Sequence, residues 1–192
     1  MVLPVKRKAK KAMTKTMKAA QLLTAALLTA LLALALTAAP AGAKTATIKM
    51  KGKTDRNVKF TGPDTIEAGD KLAIKNLTDP RKVGPHTFTL LEKKLVPKSN
   101  EDAEQCFGPG GVCQDIFVAH EVNEEDETIG KPDIDVGKKG WDVPFTLDET
   151  GDSWFTFAEG EKTDRKVKAK AGTKLTYFCA IHPLMAGKIK VK

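Results

Sequence analysis

The chain has 192 residues, with 32 lysines and arginines, 24 acidic residues and a formal net charge of +8 at pH 7. The basic excess lies in the first 18 residues, which carry seven lysines and arginines and no acidic residue. Without them the balance is 25 basic residues against 24 acidic ones, which excludes the basic surface expected of a nucleic-acid-binding protein.

The first 43 residues have the pattern of a secretory signal peptide. The basic segment is followed by an apolar stretch at residues 19–39 and by a small-residue site that ends at Ala43. Cleavage after Ala43 predicts an exported domain at residues 44–192, in the periplasm or outside the cell. The apolar stretch is also long enough to cross a bilayer, so an uncleaved membrane anchor is the alternative.

Short alternating segments predict an all-β domain for the rest of the chain. Apolar and polar residues alternate within each segment, and Gly, Pro, Asp and Asn separate the segments. This pattern is typical of an antiparallel sandwich or barrel, and the length suits one domain with one core. The predicted strands are residues 45–50, 71–77, 86–91, 153–157, 174–179 and 187–192.

Residues 97–140 interrupt this pattern and are predicted to form a long loop insertion with one short strand at 114–119. Cys106 and Cys113 flank a turn-rich segment, and in an oxidising compartment such a pair predicts a disulfide. A second metal site built from these cysteines and His120 is the alternative. We expect the insertion to be a surface excursion tied down by the disulfide; a docking surface or a lid over a site is the other interpretation.

Three soft metal ligands follow one another near the C-terminus. Cys179, His182 and Met185 are spaced by three residues, and Pro183 prevents a helix through them. The flanking segments alternate as strands, so we expect a turn between two strands, not a core-facing helical face. A thiolate, an imidazole and a thioether suit copper, whereas structural zinc sites use four Cys or His ligands and do not normally include a thioether.

A type 1 copper site needs a second histidine, for which the sequence offers His86 and His120. His86 opens a predicted strand directly after Gly84 and Pro85, so the sheet would hold its ring at the loop end of the domain. His120 lies in an acidic stretch and is predicted to be a surface histidine. The predicted ligands of one copper ion are therefore His86, Cys179, His182 and Met185.

With these residues the chain resembles the cupredoxins, the small blue-copper proteins that include plastocyanin, pseudoazurin and amicyanin. The Gly-Pro-His run at 84–86 and the Cys-x-x-His-x-x-Met run at 179–185 carry the resemblance, and the second is most similar to the ligand loop of amicyanin. The resemblance covers residues 45–91 and 141–192 and implies a Greek-key β-sandwich. The family often has Asn after the upstream histidine; here Thr87 stands there, and its hydroxyl can still bridge the two ligand segments.

The resemblance implies an exported carrier of single electrons between redox partner proteins. It also implies that His182 reaches the surface within an apolar patch, for which this sequence offers Pro85, Ile181, Pro183 and Leu184. A copper-trafficking or storage protein is the alternative. An enzyme is not expected, because the ligand set leaves no position for a substrate and three histidines cannot supply the His-x-His pairs of multicopper enzymes.

Overall fold

The structure is a computed structural model that describes residues 42–123, 125, 126, 128–135 and 140–192. The predicted signal peptide or anchor lies outside the described residues, apart from Gly42 and Ala43, which are exposed. Residues Ala43–Lys192 form one compact unit. In the part of the chain that the structure describes, no helix is long and apolar enough to cross a membrane.

The predicted all-β sandwich is confirmed. Within the described residues, one sheet has the strand order β10-β4-β1-β2, a second has the order β3-β12-β11-β5-β9-β8, and β6 pairs with β7. Two neighbouring pairs, β1 with β4 and β3 with β12, are parallel, and the other pairs are antiparallel. The strands are β1 (Thr45–Lys51), β2 (Lys59–Thr61), β3 (Thr65–Ile66), β4 (Lys71–Asn76), β5 (His86–Leu90), β6 (Val122–Asn123), β7 (Thr128–Ile129), β8 (Asp133–Ile134), β9 (Ser153–Thr156), β10 (Lys162–Lys166), β11 (Lys174–Phe178) and β12 (Ala186–Val191).

The insertion is folded, so the prediction of a long loop is corrected. Its helices are α2 (Asn100–Cys106) and α3 (Val112–Ala119), and a short helix α1 (Pro80–Val83) and a 3₁₀ turn (Lys93–Leu95) precede them. The predicted strand at 114–119 is wrong, because these residues lie in α3. Ser99 caps α2 by accepting a hydrogen bond from the Asp102 N–H.

The two main sheets enclose one apolar core. Inward-facing residues of β1, β4, β5, β11 and β12 belong to the same buried cluster. Trp141 lies within it, edge-on to Phe88 at a ring-centroid distance of 5.0 Å, and its indole N–H donates to the Leu72 carbonyl at 3.2 Å. A fully buried indole thus has its polar group satisfied, as burial requires.

A second buried cluster lies where the insertion covers the outer face of the larger sheet. Cys113 and Ile116 of α3 belong to it together with Phe178 of β11. All five residues of β5 are buried, whereas a strand with one solvated face would alternate. The insertion is therefore part of the fold and not a surface excursion.

The predicted disulfide between Cys106 and Cys113 is confirmed, and it joins the C-terminal end of α2 to the first turn of α3. Because the two sulfurs are bonded to each other, the alternative metal site with His120 is wrong.

Asp152 holds the segment before β9 in place. The backbone N–H groups of Asp142 and Val143 donate to its Oδ2 at 2.6 and 2.9 Å. Its Oδ1 is buried without a hydrogen-bond partner. Burial raises the pKa of Asp152 to about 6, although the two backbone hydrogen bonds act to lower the pKa.

We expect the ionisation of Asp152 to oppose folding. The pKa of Asp152 in the folded protein lies above that of an aspartate in the unfolded chain, which is about 4. The protonated carboxyl therefore stabilises the fold fully below about pH 4, and this stabilisation is lost as the pH rises through about 6. In Asp152→Asn, the free energy of unfolding should no longer fall over this range, as measured by urea unfolding between pH 4 and 7. Asp164→Asn, at a carboxyl whose side chain is 42% exposed, is the control. Parallel pH profiles for Asp152→Asn and the wild type would contradict the expectation.

Removing the disulfide should loosen the insertion more than the sheets. A bridge between cysteines seven residues apart is worth about 2–3 kcal/mol in the chain-entropy account. The double variant Cys106→Ala, Cys113→Ala should therefore unfold at a lower temperature, with amide exchange rising first in α3 and last in β1 and β4. Equal acceleration of exchange in all of these elements would show that the bridge does not act locally.

Candidate metal centre

The predicted ligands lie on two segments at one end of the sandwich. His86 is the first residue of β5, and Cys179, His182 and Met185 lie in the turn that joins β11 to β12. Backbone hydrogen bonds close this turn, from the Cys179 N–H to the Met185 carbonyl at 2.9 Å and from the Met185 N–H to the His182 carbonyl at 2.7 Å. The predicted turn between two strands is confirmed, and the helical alternative is wrong.

Two imidazoles and one thiol meet in this site. The Cys179 Sγ lies 3.7 Å from the His86 Nδ1 and 3.6 Å from the His182 Nδ1. The three ligand atoms lie within 4.8 Å of one another, and in the described part of the chain this is the one group of three or more His, Cys, Asp or Glu residues with metal-binding spacing. His86 and Cys179 are fully buried, while His182 retains an exposed edge.

Met185 is also buried, in the apolar core beside Cys179. Its backbone makes both hydrogen bonds that close the ligand turn, so its position is tied to those of Cys179 and His182. A buried thioether on this turn suits a weak axial ligand. The assignment of Met185 as the fourth ligand stays a prediction.

A chain of hydrogen bonds sets the orientation of the His86 ring. The Thr78 hydroxyl donates to the Asn76 Oδ1 at 2.7 Å, and the same hydroxyl oxygen lies 2.8 Å from the His86 Nε2. Because the hydroxyl hydrogen is already committed to Asn76, the Nε2 must carry the hydrogen and donate it to Thr78. The Nδ1 that faces Cys179 is then an unprotonated lone pair, which is the form that binds a metal.

Thr87 joins the two ligand segments. Its backbone N–H donates to the Cys179 Sγ at 3.3 Å, and its hydroxyl oxygen accepts from the Ala180 N–H at 2.8 Å. The sequence expectation that this hydroxyl bridges the segments is confirmed. A threonine therefore ties a strand of the sheet to a turn 93 residues further along the chain.

The electrostatics of the site favour neutral imidazoles. Burial, with a further contribution from His182, lowers the pKa of His86 to about 4. Burial also lowers the pKa of His182, against the opposing effect of Asp55. Burial raises the pKa of the Cys179 thiol, and a bound cation would favour the loss of its proton.

These donors fit a type 1 copper ion. Two neutral imidazole nitrogens and one cysteine sulfur converge in a buried site, and the adjacent methionine offers a second soft donor. A structural zinc site needs four Cys or His ligands, and among the described residues only His86, Cys179 and His182 converge here.

One edge of the site faces the surface. The His182 side chain is 12% exposed, with its Nε2 3.9 Å from a carboxylate oxygen of Asp55. Within the predicted apolar patch Leu184 is 52% exposed and Pro85 and Ile181 are half-buried. Pro183 is buried, which corrects its predicted place on the surface, because it lies inside the tight ligand turn.

The insertion extends this surface. A groove of about 620 Å³ is lined by Pro85 and Ile181 from the ligand segments and by Phe117 and Val122 from the insertion. The fold thus brings the insertion beside the ligand segments.

The prediction that His120 is a surface histidine is wrong. The residue is fully buried at the C-terminal end of α3, and its ring packs edge-on against Phe155 at a centroid distance of 5.4 Å. The acidic run that suggested exposure begins only at Glu121. The helical spacing of Cys113, Ile116 and His120 was the available signal, because residues three and four apart share one face of a helix.

Thr87→Val should weaken the connection between the ligand segments. It leaves the buried Ala180 N–H without an acceptor, which costs about 1–3 kcal/mol. Urea unfolding of the metal-free protein measures the loss. Thr163→Val is the matched control, because the Thr163 hydroxyl is buried but has no partner. Equal losses in the two variants would show that the Thr87 bridge does not stabilise the fold.

Comparisons with known proteins find structural similarity at low sequence identity. No family model matches the chain, and no curated protein matches it. Among solved structures it is similar to reduced auracyanin from Roseiflexus castenholzii, with 16% identity, 79% of this chain and 99% of that chain covered, and a TM-score of 0.40.

Two further solved structures show the same degree of likeness. Auracyanin A, a "blue" copper protein from Chloroflexus aurantiacus, has 18% identity, with 79% of this chain and 100% of that chain covered and a TM-score of 0.42. A multi-copper oxidase from Pediococcus acidilactici has 15% identity, with 79% of this chain but 27% of that chain covered and a TM-score of 0.39. Likenesses at this level carry no conclusion about function. In its two-sheet β fold and its buried group of two histidines and one cysteine, the chain has the predicted resemblance to the cupredoxins.

Proposed function

We propose that the chain is an exported type 1 copper protein that carries single electrons between redox partner proteins. The observation that carries the proposal is the buried convergence of the His86 and His182 imidazoles on the Cys179 sulfur. Two histidines, one cysteine and a weak methionine ligand describe an electron-transfer copper site.

The protein's own contribution is to hold the donors still and to keep water away. Bound copper supplies a one-electron redox couple. His86 is fixed by Thr78, the Cys179 sulfur is fixed by the Thr87 N–H, and the ligand turn is closed by backbone hydrogen bonds. A site whose donors are already in place requires little movement when the charge of the ion changes, which suits rapid electron transfer.

Electrons would enter and leave through the exposed edge of His182. This ring links the buried sulfur to the surface where Leu184, Pro85 and Ile181 lie. A weakly hydrated surface of this kind suits brief contact with a partner, because little ordered water has to be displaced.

The chemistry of the cysteines supports export. A disulfide persists in oxidising compartments, and the Cys106–Cys113 bridge is of this kind. Together with the signal-like N-terminus, it favours a periplasmic or extracellular location. The fully buried Cys179 favours retention of the ion, which supports an electron carrier over a copper-trafficking or storage protein.

Adding Cu(II) to the full chain should give an intense visible charge-transfer band. We expect Cys179→Ser to abolish the band, because the band arises from the thiolate bound to copper, and His86→Ala to weaken or abolish it. His120→Ala is the matched control, since it removes a second buried histidine that lies outside the ligand group.

Each result has a defined consequence. A colourless wild-type protein, or full colour in His86→Ala, would overturn the proposed ligand set. Rapid transfer of the copper to a weak chelator would favour the trafficking function over the electron carrier.

A further inference from the structure

The outer face of the smaller sheet is covered by lysine side chains. Ile48 and Met50 of β1 and Leu72 and Ile74 of β4 belong to the apolar core, so the residues that alternate with them point outward. The strand register extends this outer face to β2 and β10. Seven of its residues are lysines, which we call the lysine face: Lys49, Lys51, Lys59, Lys71, Lys75, Lys162 and Lys166.

The lysines stand beside one another and do not alternate with acidic residues. Three pairs are directly opposite across antiparallel strands: Lys51 with Lys59, Lys75 with Lys162, and Lys71 with Lys166. Lys49 also lies opposite Lys75, on the parallel neighbour. Neighbouring strands are about 4.8 Å apart, and outward residues of one strand are about 7 Å apart. The positive charges therefore form a flat grid.

Little negative charge lies on this face. Asp164 is the one acidic residue among the outward residues of the four strands. Among the described residues, the only salt bridge of the lysine face joins Lys162 to Asp164 at 4.0 Å. Six of the seven lysines are exposed, and Lys75 is half-buried. The lysine face therefore keeps a large positive charge.

Protection of a sheet edge does not explain the lysine face. Lysines on an edge strand hinder pairing with another chain, but β1 and β4 are the central strands of this sheet. Like charges directly opposite each other destabilise a strand pair. The fold thus retains a repulsive arrangement across the whole sheet, which favours a binding role.

The other side of the sandwich carries acidic charge. The sequence of the insertion contains eleven acidic residues against four lysines, and the described part of the insertion packs on the outer face of the larger sheet. The near balance of charge in the sequence hides this separation, because the register collects lysines from four separate segments. The field of such a molecule turns its smaller sheet toward an anionic surface.

We propose that the lysine face binds the anionic headgroups of a lipid bilayer, so that the smaller sheet lies flat on the membrane. Headgroups form a plane of mobile negative charge, and each lysine near that plane raises the affinity about fivefold. The inference goes beyond the proposed function, because none of the seven lysines belongs to the ligand group.

The composition of the face favours lipid over a protein or a nucleic acid. Its other outward residues, besides Asp164, are small: Thr45, Thr47, Thr61 and Ala73. The centres of protein interfaces are rich in aromatic residues and poor in lysine. Nucleic acids are bound through aromatic residues that stack on bases and arginines that read them. The lysine face offers charge alone, which is what a headgroup plane requires.

The start of the domain lies beside the same face. β1 begins at Thr45, opposite Lys71, and five residues separate it from the apolar stretch at 19–39. If that stretch is retained as a membrane anchor, a link of five residues spans at most about 17 Å. The anchor and the lysine face would then act on one bilayer, and two membrane signals hold a protein more firmly than one.

The test follows the reactivity of lysines in the copper-free full chain. The chain is mixed with nanodiscs of phosphatidylcholine, or of equimolar phosphatidylcholine and phosphatidylglycerol, and acetylation by a water-soluble reagent is measured by mass spectrometry. We expect the exposed lysines of the lysine face to react about fivefold more slowly with the anionic discs. Salt should remove the difference, because it screens exposed charges. Lys93, Lys94 and Lys98 should react equally with both discs.

A pair of matched double variants separates the face from overall charge. Lys71→Gln with Lys166→Gln removes one opposite pair from the lysine face, and the ratio of docked to free protein should fall about fivefold for each lysine removed. Lys174→Gln with Lys190→Gln is the control, because these lysines are directly opposite on the larger sheet. Equal loss of protection in the two double variants would assign the effect to net charge and overturn the proposal.

The wild-type measurement decides the matter even if a variant folds poorly. Equal reactivity of the lysine face with both discs would overturn the proposal. Protection by soluble polyglutamate, without protection by phosphatidylglycerol, would assign the face to an acidic protein and also overturn it. None of these results changes the copper band, so the proposed function is tested separately.

Discussion

The arrangement of the site depends on one residue, Thr87, that joins two distant parts of the sequence. Its backbone holds the Cys179 sulfur and its hydroxyl holds the Ala180 N–H. The register of β5 against β11 brings the two segments together, and the threonine fixes their separation on the scale of a hydrogen bond. A sheet alone sets strand spacing, but it does not orient a turn that extends beyond its last paired residue. The polar bridge supplies that orientation.

The insertion imposes a second constraint, because it buries a row of hydroxyl groups on the outer face of the sheet. Thr89 pairs in register with Ser153, and both side chains lie on the face that α3 covers. A buried hydroxyl without a hydrogen-bond partner costs free energy. Once α3 covers this face, the buried hydroxyl groups must therefore form hydrogen bonds with other groups of the protein. His120 completes it, which explains why the insertion brings a histidine and not an apolar residue to this position.

The sequence predicted the elements whose signal is local and left out those set by tertiary contacts. The six strands predicted from alternation correspond to β1, β4, β5, β9, β11 and β12. The ligand turn was recognisable from the spacing of its cysteine, histidine and methionine. β2 and β3 are too short to show a period, and β10 consists mainly of charged residues at a sheet edge. α3 was missed because Val112, Ile116 and Phe117 favour strands, and the burial of His120 depends on packing that no local pattern encodes.

The unequal exposure of the three ligands defines a route for the ion. His86 and Cys179 are fully buried, and of the three only His182 keeps an edge open to solvent. Copper that bound after folding would meet the His182 imidazole first, because the other two donors are buried. The rates of metal loading and loss would then depend on the turn that carries His182, while the affinity would depend on all of the ligands.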